Sequence, residues 1–383
     1  FKQKTAYEIS LGLVGSEMCI RDRNVSAASL TLSRDLDELV LRFVRAGAFP
    51  GAVLLVSRAG EVLHLMSYGM AVVTPKRLPM RLNTMFDLAS LTKPIVAVAL
   101  MTLWEKGKVD LHDRVCEYVP ELSASEKRSI TLWHLLTHTS GLPAWAPLYR
   151  MCESPEEVFR VIAKLEPEAR AGARVVYSDL NFMLLGRVVE VASGVSLDAY
   201  LRESVLEPLG MSSTMYNPPL KLRELTAATE LCKWRGRVIW GEVHDENAYF
   251  MGGVSGHAGL FSTALDLYRF SSMMLSGGSL RGARVLSSDT VELVTENHTR
   301  GLNSARGLGW ALREDGWQGG ELMSDKAYGH TGFTGTSLFV DPEREATVVL
   351  LTNRIHPSRE NKMILEARPA IHDAVLSILD RLG

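Results

Sequence analysis

Residues 90–106 read SLTKPIVAVALMTLWEK, and the interpretation of the chain turns on this stretch. The apolar run Pro94–Trp104 is far shorter than the roughly 18–20 residues a membrane span requires, so it reads as a buried core helix. Ser90 and Lys93 stand at i and i+3, which places the hydroxyl and the ammonium on one helix face. A lysine in a first helical turn opposes the helix dipole, where an acidic residue is preferred. Local rules of this kind tend to be broken at functional sites, and the positive helix end would assist an oxyanion at Ser90. Ser-x-x-Lys taken alone is common, and its ordinary reading is a capping serine beside a solvated lysine. Partners elsewhere in the chain have to decide.

Outward from this helix, Asp35–Gly47 shows helical spacing. GAVLLVSRAGEVLHLMSYGMA (residues 51–71) reads as two strands joined at Ala59-Gly60. Residues 107–300 are mostly helices between Gly/Pro turns. SPEEVFRVIAKLE opens with Ser154 as N-cap. LNFMLLGRVVEVASG, SLDAYLRESVLEPLG and TALDLYRFSSMMLSGG each end in a glycine suited to a helix C-terminus. From residue 307 the pattern returns to strands: GLGWALRE, AYGHTG, then TSLFVDPEREATVVLLTNR with a turn at Asp341-Pro342. A last helix is expected over Asn361–Leu382. The expected class is α+β: an antiparallel sheet built from both chain ends and flanked by helices, with an inserted, mostly helical lobe. Residues 24–383 would form one catalytic domain, its α/β lobe from 33–105 and 300–383 and its helical lobe from 106–299.

The 383 residues are 46% hydrophobic and 22% charged with a net charge of −2, ordinary values for a globular enzyme. Near-equal numbers of basic (42) and acidic (44) residues leave no electrostatic footprint for nucleic acid. Setting aside Cys19, the odd trio Cys116, Cys152 and Cys232 contains no Cys-x-x-Cys pair, which argues for isolated thiols over a disulfide framework or zinc ribbon. Residues 1–23 (FKQKTAYEISLGLVGSEMCIRDR) resemble a translated sequencing-adapter read and are set aside as an extension expected to be loosely attached. The compartment is left open between cytoplasm and bacterial periplasm.

Two further motifs accompany the first. Tyr177-Ser178-Asp179 precedes the helix LNFMLLGRVVEVASG; a phenol beside an ammonium can serve as a base, although a tyrosine there is more often core packing. His330-Thr331-Gly332 lies on an expected strand, where glycine allows close approach of a substrate backbone. Each is weak in isolation. Together, and in this order, they resemble the penicillin-recognising serine hydrolases, in the branch holding class C β-lactamases, D,D-peptidases, D-aminopeptidases and β-lactamase-related esterases. The resemblance spans most of residues 33–383 and includes LLTHTSGLP (135–143) and GGVSGHAGLFST (252–263). It implies a covalent acyl-Ser90 intermediate, with Lys93 and Tyr177 sharing the base role. The backbone N–H groups of Ser90 and Phe333 would form the oxyanion hole, and Asp179, His330, Thr331 and Gly332 would bind a small-molecule or peptide substrate. It implies no cofactor and no metal.

Ser178-Asp179 is superficially like the Ser-Asp-Asn of class A β-lactamases, but Leu180 stands third and no Glu-x-x-Leu-Asn follows. Asp179 replaces the family's common Asn, and His330 replaces the class C lysine that attracts a carboxylate. Both changes point towards an esterase or D-amino-acid peptidase over an efficient β-lactamase. A non-hydrolytic or slowly deacylating penicillin-binding sensor is the alternative. A cleft-facing Asp179 would favour amine-bearing substrates. His134 and His138, at zinc-like i, i+4 spacing, lack the glutamate of His-Glu-x-x-His and read as structural. His244-Asp245-Glu246 with His257 reads as a rim loop in preference to a metal cluster. No Gly-x-Ser-x-Gly elbow is present.

Overall fold

The computed structural model describes residues 27–124 and 126–382. The expectation about residues 1–23 therefore lies outside the described residues. The first described helix, α1 (Ala27–Arg45), leads into β1 (Gly51–Arg58) and β2 (Glu61–Val72). As expected, these strands form a hairpin whose turn places Ala59 and Gly60 at φ +49° and +76°. A short β3 (Leu78–Pro79) follows. The helical region begins with α2 (Thr92–Glu105) and continues through α3 (Asp179–Ser193), a small hairpin β4–β5 (Ala228–Cys232, Arg237–Trp240) and α4 (Ala264–Leu275). The chain then returns through β6 (Ala311–Leu312), β7 (Tyr328–Thr331), β8 (Ser337–Asp341), β9 (Ala346–Thr352) and α5 (Ile364–Arg381).

The strands order as β6-β7-β8-β9-β1-β2-β3, and the central β9–β1 pairing is antiparallel. One sheet is thus sewn from the two ends of the chain, as the sequence pattern requires. Side chains alternate across it with the two-residue period of a strand. Val53, Leu55, Val349 and Leu351 join one core with α2 and α4, while Leu54, Val56, Val348 and Leu350 join a second core. That second core is completed by Leu36 and Val40 of α1 and by Ile371 and Val375 of α5. Burial on both faces explains why β1 and β9 read as continuous apolar runs without alternation.

Helix α2 is buried from Thr92 to Leu103 and packs against α3. Its apolar residues surround the axis, the composition of a helix running through a core. The expected helix from Ser90 starts two residues later: Ala89–Leu91 form a 3₁₀ turn ahead of α2. GLGWALRE is mostly irregular, with only Ala311–Leu312 pairing to β7. Cys116, Cys152 and Cys232 are free thiols. Among the described residues, no single helix is long and apolar enough to cross a membrane.

Candidate active site

The 3₁₀ turn holds Ser90 in place. Ala89 adopts φ +46°, an uncommon conformation for a residue with a side chain and one found at strained functional turns. Buried Asp87 holds this geometry, its Oδ1 accepting from Ala89 N–H at 2.8 Å and its Oδ2 from His244 N–H at 2.6 Å. Second in a first turn, the Ser90 N–H has no acceptor within the helix.

The turn after β7 is fastened to the same segment. Thr334 Oγ1 donates to Asp87 O at 2.7 Å and Thr336 Oγ1 to Leu88 O at 3.1 Å. A Cβ on Gly332 would fall 2.2 Å from both Leu88 O and Thr336 Oγ1, so glycine is needed there for close approach. Gly332→Ala is therefore expected to push the Gly332–Phe333 turn away from Ser90. Overpacking of this kind costs about 1–3 kcal/mol, and a misplacement near 1 Å lowers kcat by about 100-fold. Thermal melts and ester kinetics on the variant measure both; an active, unshifted Gly332→Ala would show that the two segments need not touch.

Lys93 is fully buried and its ammonium has three acceptors: Ser90 Oγ at 2.8 Å, Asp179 Oδ1 at 2.7 Å and the His257 carbonyl at 3.3 Å. Burial alone would push this amine down, but the Asp179 carboxylate and Tyr177 outweigh it and hold the pKa above its ordinary value. Lys93 is accordingly an ammonium at rest and donates to Ser90. The Tyr177 ring centre lies 4.9 Å from the Lys93 nitrogen.

Tyr177 is enclosed by two imidazoles, with ring centres 4.6 Å (His138) and 5.8 Å (His330) away. His138 lies past the end of its helix with φ +56°, so it and His134 do not share the helical face assumed from their spacing. Its Nδ1 accepts from Ser178 N–H at 3.1 Å, which assigns the proton to Nε2 and ties the ring to the Tyr177 segment. His134 instead completes a capping box with Thr131. His330 Nδ1 donates to Thr331 O at 2.8 Å, leaving Nε2 as an acceptor. Burial, then the Lys93 charge, pulls the His330 pKa down to about 3, so its imidazole is neutral, in keeping with the sequence reading.

Buried His372, packed on Phe339 of β8, is likewise pulled down to about 3, chiefly by burial. A histidine depressed in the folded state binds its proton only after unfolding. Its contribution to stability is intact above the unfolded value near 6.5 and is lost as pH falls towards 3. Stability is expected to fall as pH drops below about 6.5, with each of these two residues adding at most roughly 1 kcal/mol per pH unit. Urea titrations across that range measure the slope, and His372→Leu should flatten it; an unchanged slope would remove His372 from this account.

Ser90, Tyr177, Asp179, His330, Thr331, Gly332 and Phe333 line one cleft of about 930 Å³. The structure thus brings the expected site residues together. Asp179 faces that cleft, but its Oδ1 is committed to Lys93, so an amine preference no longer follows from its charge. His244, Asp245 and His257 also line the cleft, where the sequence suggested only a rim. Asp179, Asp245 and His257 bring ligand-type atoms within 4.8 Å of one another. Those atoms already serve the chain: His257 Nε2 lies 2.9 Å from Asp245 Oδ1, which also accepts from Ala248 N–H at 2.7 Å. The adjacent Lys93 ammonium opposes a second cation. Asp87 and Arg306 were not singled out from sequence at all, because no local pattern marks them.

A strained serine turn, a buried ammonium and a tyrosine in one cleft, on a sheet made from both chain ends, define a serine acyl-transfer hydrolase. The chain belongs to the Beta-lactamase family, whose model matches residues 36–371. It is 34% identical over 362 residues to the N-acetylmuramyl-L-alanine amidase of Bacillus subtilis (strain 168), covering 84% of this chain and 81% of that protein. A protein of Escherichia coli (strain K12) bearing a D-alanyl-D-alanine carboxypeptidase name is 32% identical over 359 residues, covering 84% and 82% respectively. The solved structure of EstCE1, described as a hydrolase with promiscuous acyltransferase activity, superposes with a TM-score of 0.73 at 25% identity. It covers 92% of this chain and all (100%) of EstCE1. The protein is therefore a serine hydrolase of this family.

Proposed function

We propose that the protein hydrolyses an ester or amide through an acyl intermediate on Ser90, with Lys93 and Tyr177 moving the proton. The observation that carries this reading is the buried Lys93 ammonium, hydrogen-bonded to Ser90 Oγ and neutralised by Asp179. As Ser90 Oγ bonds to the substrate carbonyl carbon, its proton leaves for the Lys93–Tyr177 pair. Lys93 is already protonated, so the proton goes to the oxygen of Tyr177 in its phenolate form, which the adjacent ammonium favours, and the phenol so formed delivers it to the departing nitrogen or oxygen. Water then opens the acyl-enzyme by the reverse transfers. The N–H groups of Ser90 and Phe333 hold the carbonyl oxygen, each worth about 3 kcal/mol in comparable sites.

The substrate class favoured is a small ester or a D-amino-acid amide. Neutral His330 gives a carboxylate less attraction than a lysine would, which argues against efficient β-lactam hydrolysis. The amidase and carboxypeptidase names among the relatives, and the description of EstCE1 as a hydrolase with promiscuous acyltransferase activity, agree with carbonyl-transfer chemistry on varied leaving groups. A panel of p-nitrophenyl esters, D-alanyl anilides and nitrocefin tests the reading. Turnover of the first two above nitrocefin is expected; a permanent penicillin adduct with no ester turnover would make the protein a sensor.

A further inference from the structure

Four groups that carry or can carry charge face the Tyr177 ring, each from a different element. Lys93 of α2 is matched by Asp179 of α3. His138, from the loop after Leu132–Leu136, and His330, on β7, are both kept neutral chiefly by burial. The fourth is Arg306, in the loop before β6, whose guanidinium carbon lies 5.6 Å from the Tyr177 ring centre. Arg306 lines the catalytic cleft, and its Nε is buried without a hydrogen-bond partner. Among the described residues, no ion pair engages its guanidinium. Nearby Glu314 attracts Arg306 at longer range without a direct ion pair, its carboxylate accepting from Ser304 Oγ at 2.9 Å and from Ala305 N–H at 2.8 Å. A half-buried cation with no direct ion-pair partner, lining a cleft beside a titratable phenol, is the kind of perturbed charge that clusters at functional sites.

Its placement is built, too. Asn303 bonds Val175 in both directions, accepting from Val175 N–H at 2.8 Å and donating to Val175 O at 3.0 Å. Arg306 N–H donates to Thr299 Oγ1 at 2.8 Å, and Arg306 O accepts from His298 N–H at 2.9 Å. The chain two residues before Tyr177 is thereby pinned to the chain three residues before Arg306.

We propose that Arg306 is a positioning residue for acyl transfer, its guanidinium over Tyr177 favouring the phenolate form of Tyr177 that accepts the Ser90 proton. It supplies, beside Tyr177, the positive charge that His330 does not. The inference rests on the proton-carrying role of Tyr177 proposed above. The Tyr177 oxygen takes the proton lost by Ser90 Oγ and passes it to the leaving atom, while Arg306 exchanges none.

Steady-state kinetics of the full chain on p-nitrophenyl butyrate, an uncharged ester, test this across pH. Arg306→Gln is expected to lower kcat by about 10- to 100-fold, with KM changed less than about threefold. The rising limb of kcat against pH should move upward by about one unit, and Arg306→Lys should recover most of the loss. Asn303→Ala, which frees the loop but keeps the charge, should show a smaller loss without that displacement. The melting temperature of Arg306→Gln should stay within a few degrees of wild type, because no direct ion pair is broken; a purely structural arginine would lower it. Unaltered kcat and pH profile in Arg306→Gln would overturn the proposal, as would a loss confined to KM for carboxylate-bearing substrates. Tyr177→Phe separates the two levels. If it keeps normal kcat, the Tyr177 role falls and this inference with it. If it is inactive while Arg306→Gln is normal, only the Arg306 role falls.

Discussion

Ser90→Ala is expected to abolish measurable turnover, with a loss of roughly 10⁴- to 10⁶-fold in kcat, and to end labelling by a fluorophosphonate. The residual rate is what binding and an oxyanion site supply without a nucleophile. The structural cost should be small. The substitution removes one of three acceptors of the Lys93 ammonium, a hydrogen bond worth about 1 kcal/mol, while the Asp179 carboxylate and the His257 carbonyl stay in place. A melting temperature within a few degrees of wild type would therefore accompany complete loss of activity. Intact-mass spectrometry after reaction gives the decisive reading: an adduct mapping to any residue other than Ser90 would remove the nucleophile assignment.

Lys93→Met should do two separable kinds of damage. The side chain fills the same buried slot, so packing is largely kept and the charge is what disappears. Asp179 then sits without its cation, its side chain 20% exposed and still in reach of water. Breaking a fully buried pair costs about 3–5 kcal/mol; partial solvation of Asp179 should bring the loss nearer 2 kcal/mol. Activity should fall by about 10³-fold or more, because Ser90 loses its donor and Tyr177 its neighbouring ammonium. Adding Asp179→Asn to Lys93→Met should restore much of the stability and none of the activity. Recovery of both together would mean that Lys93 serves the fold alone. Chemical denaturation and ester kinetics on the two variants distinguish the outcomes.

How much of this was legible in the sequence depends on how local each feature is. Ser90 and Lys93 could be paired from spacing, because i and i+3 positions meet on any helix. The observed start of α2 at Thr92 refines the cap and leaves that pairing intact. Tyr177 and His330 gained weight only from motif order. The ion pair that neutralises Lys93 joins residues 86 apart, and no periodicity foretells it. Asp179 faces the cleft, as its motif position allows, but its pairing with Lys93 appears only in three dimensions. Gly332 shows a similar gap: a strand glycine suggests close approach, but the partner that crowds it is the Leu88 carbonyl, two residues before the nucleophile.

What the sequence by itself determined is the set of elements and the chemical cast. Apolar runs in β1, α2 and β9 select buried strands and a buried helix through backbone periodicity alone, and the three motifs bring forward the candidate reacting groups. What only the tertiary structure decided is their charge state and company. Whether Lys93 is an ammonium, His330 a neutral imidazole or Arg306 a cation set beside Tyr177 depends on how much water is excluded and which distant charge lies within a few ångströms. Desolvation and Coulomb energy are set by three-dimensional distance, and chain separation carries no record of it.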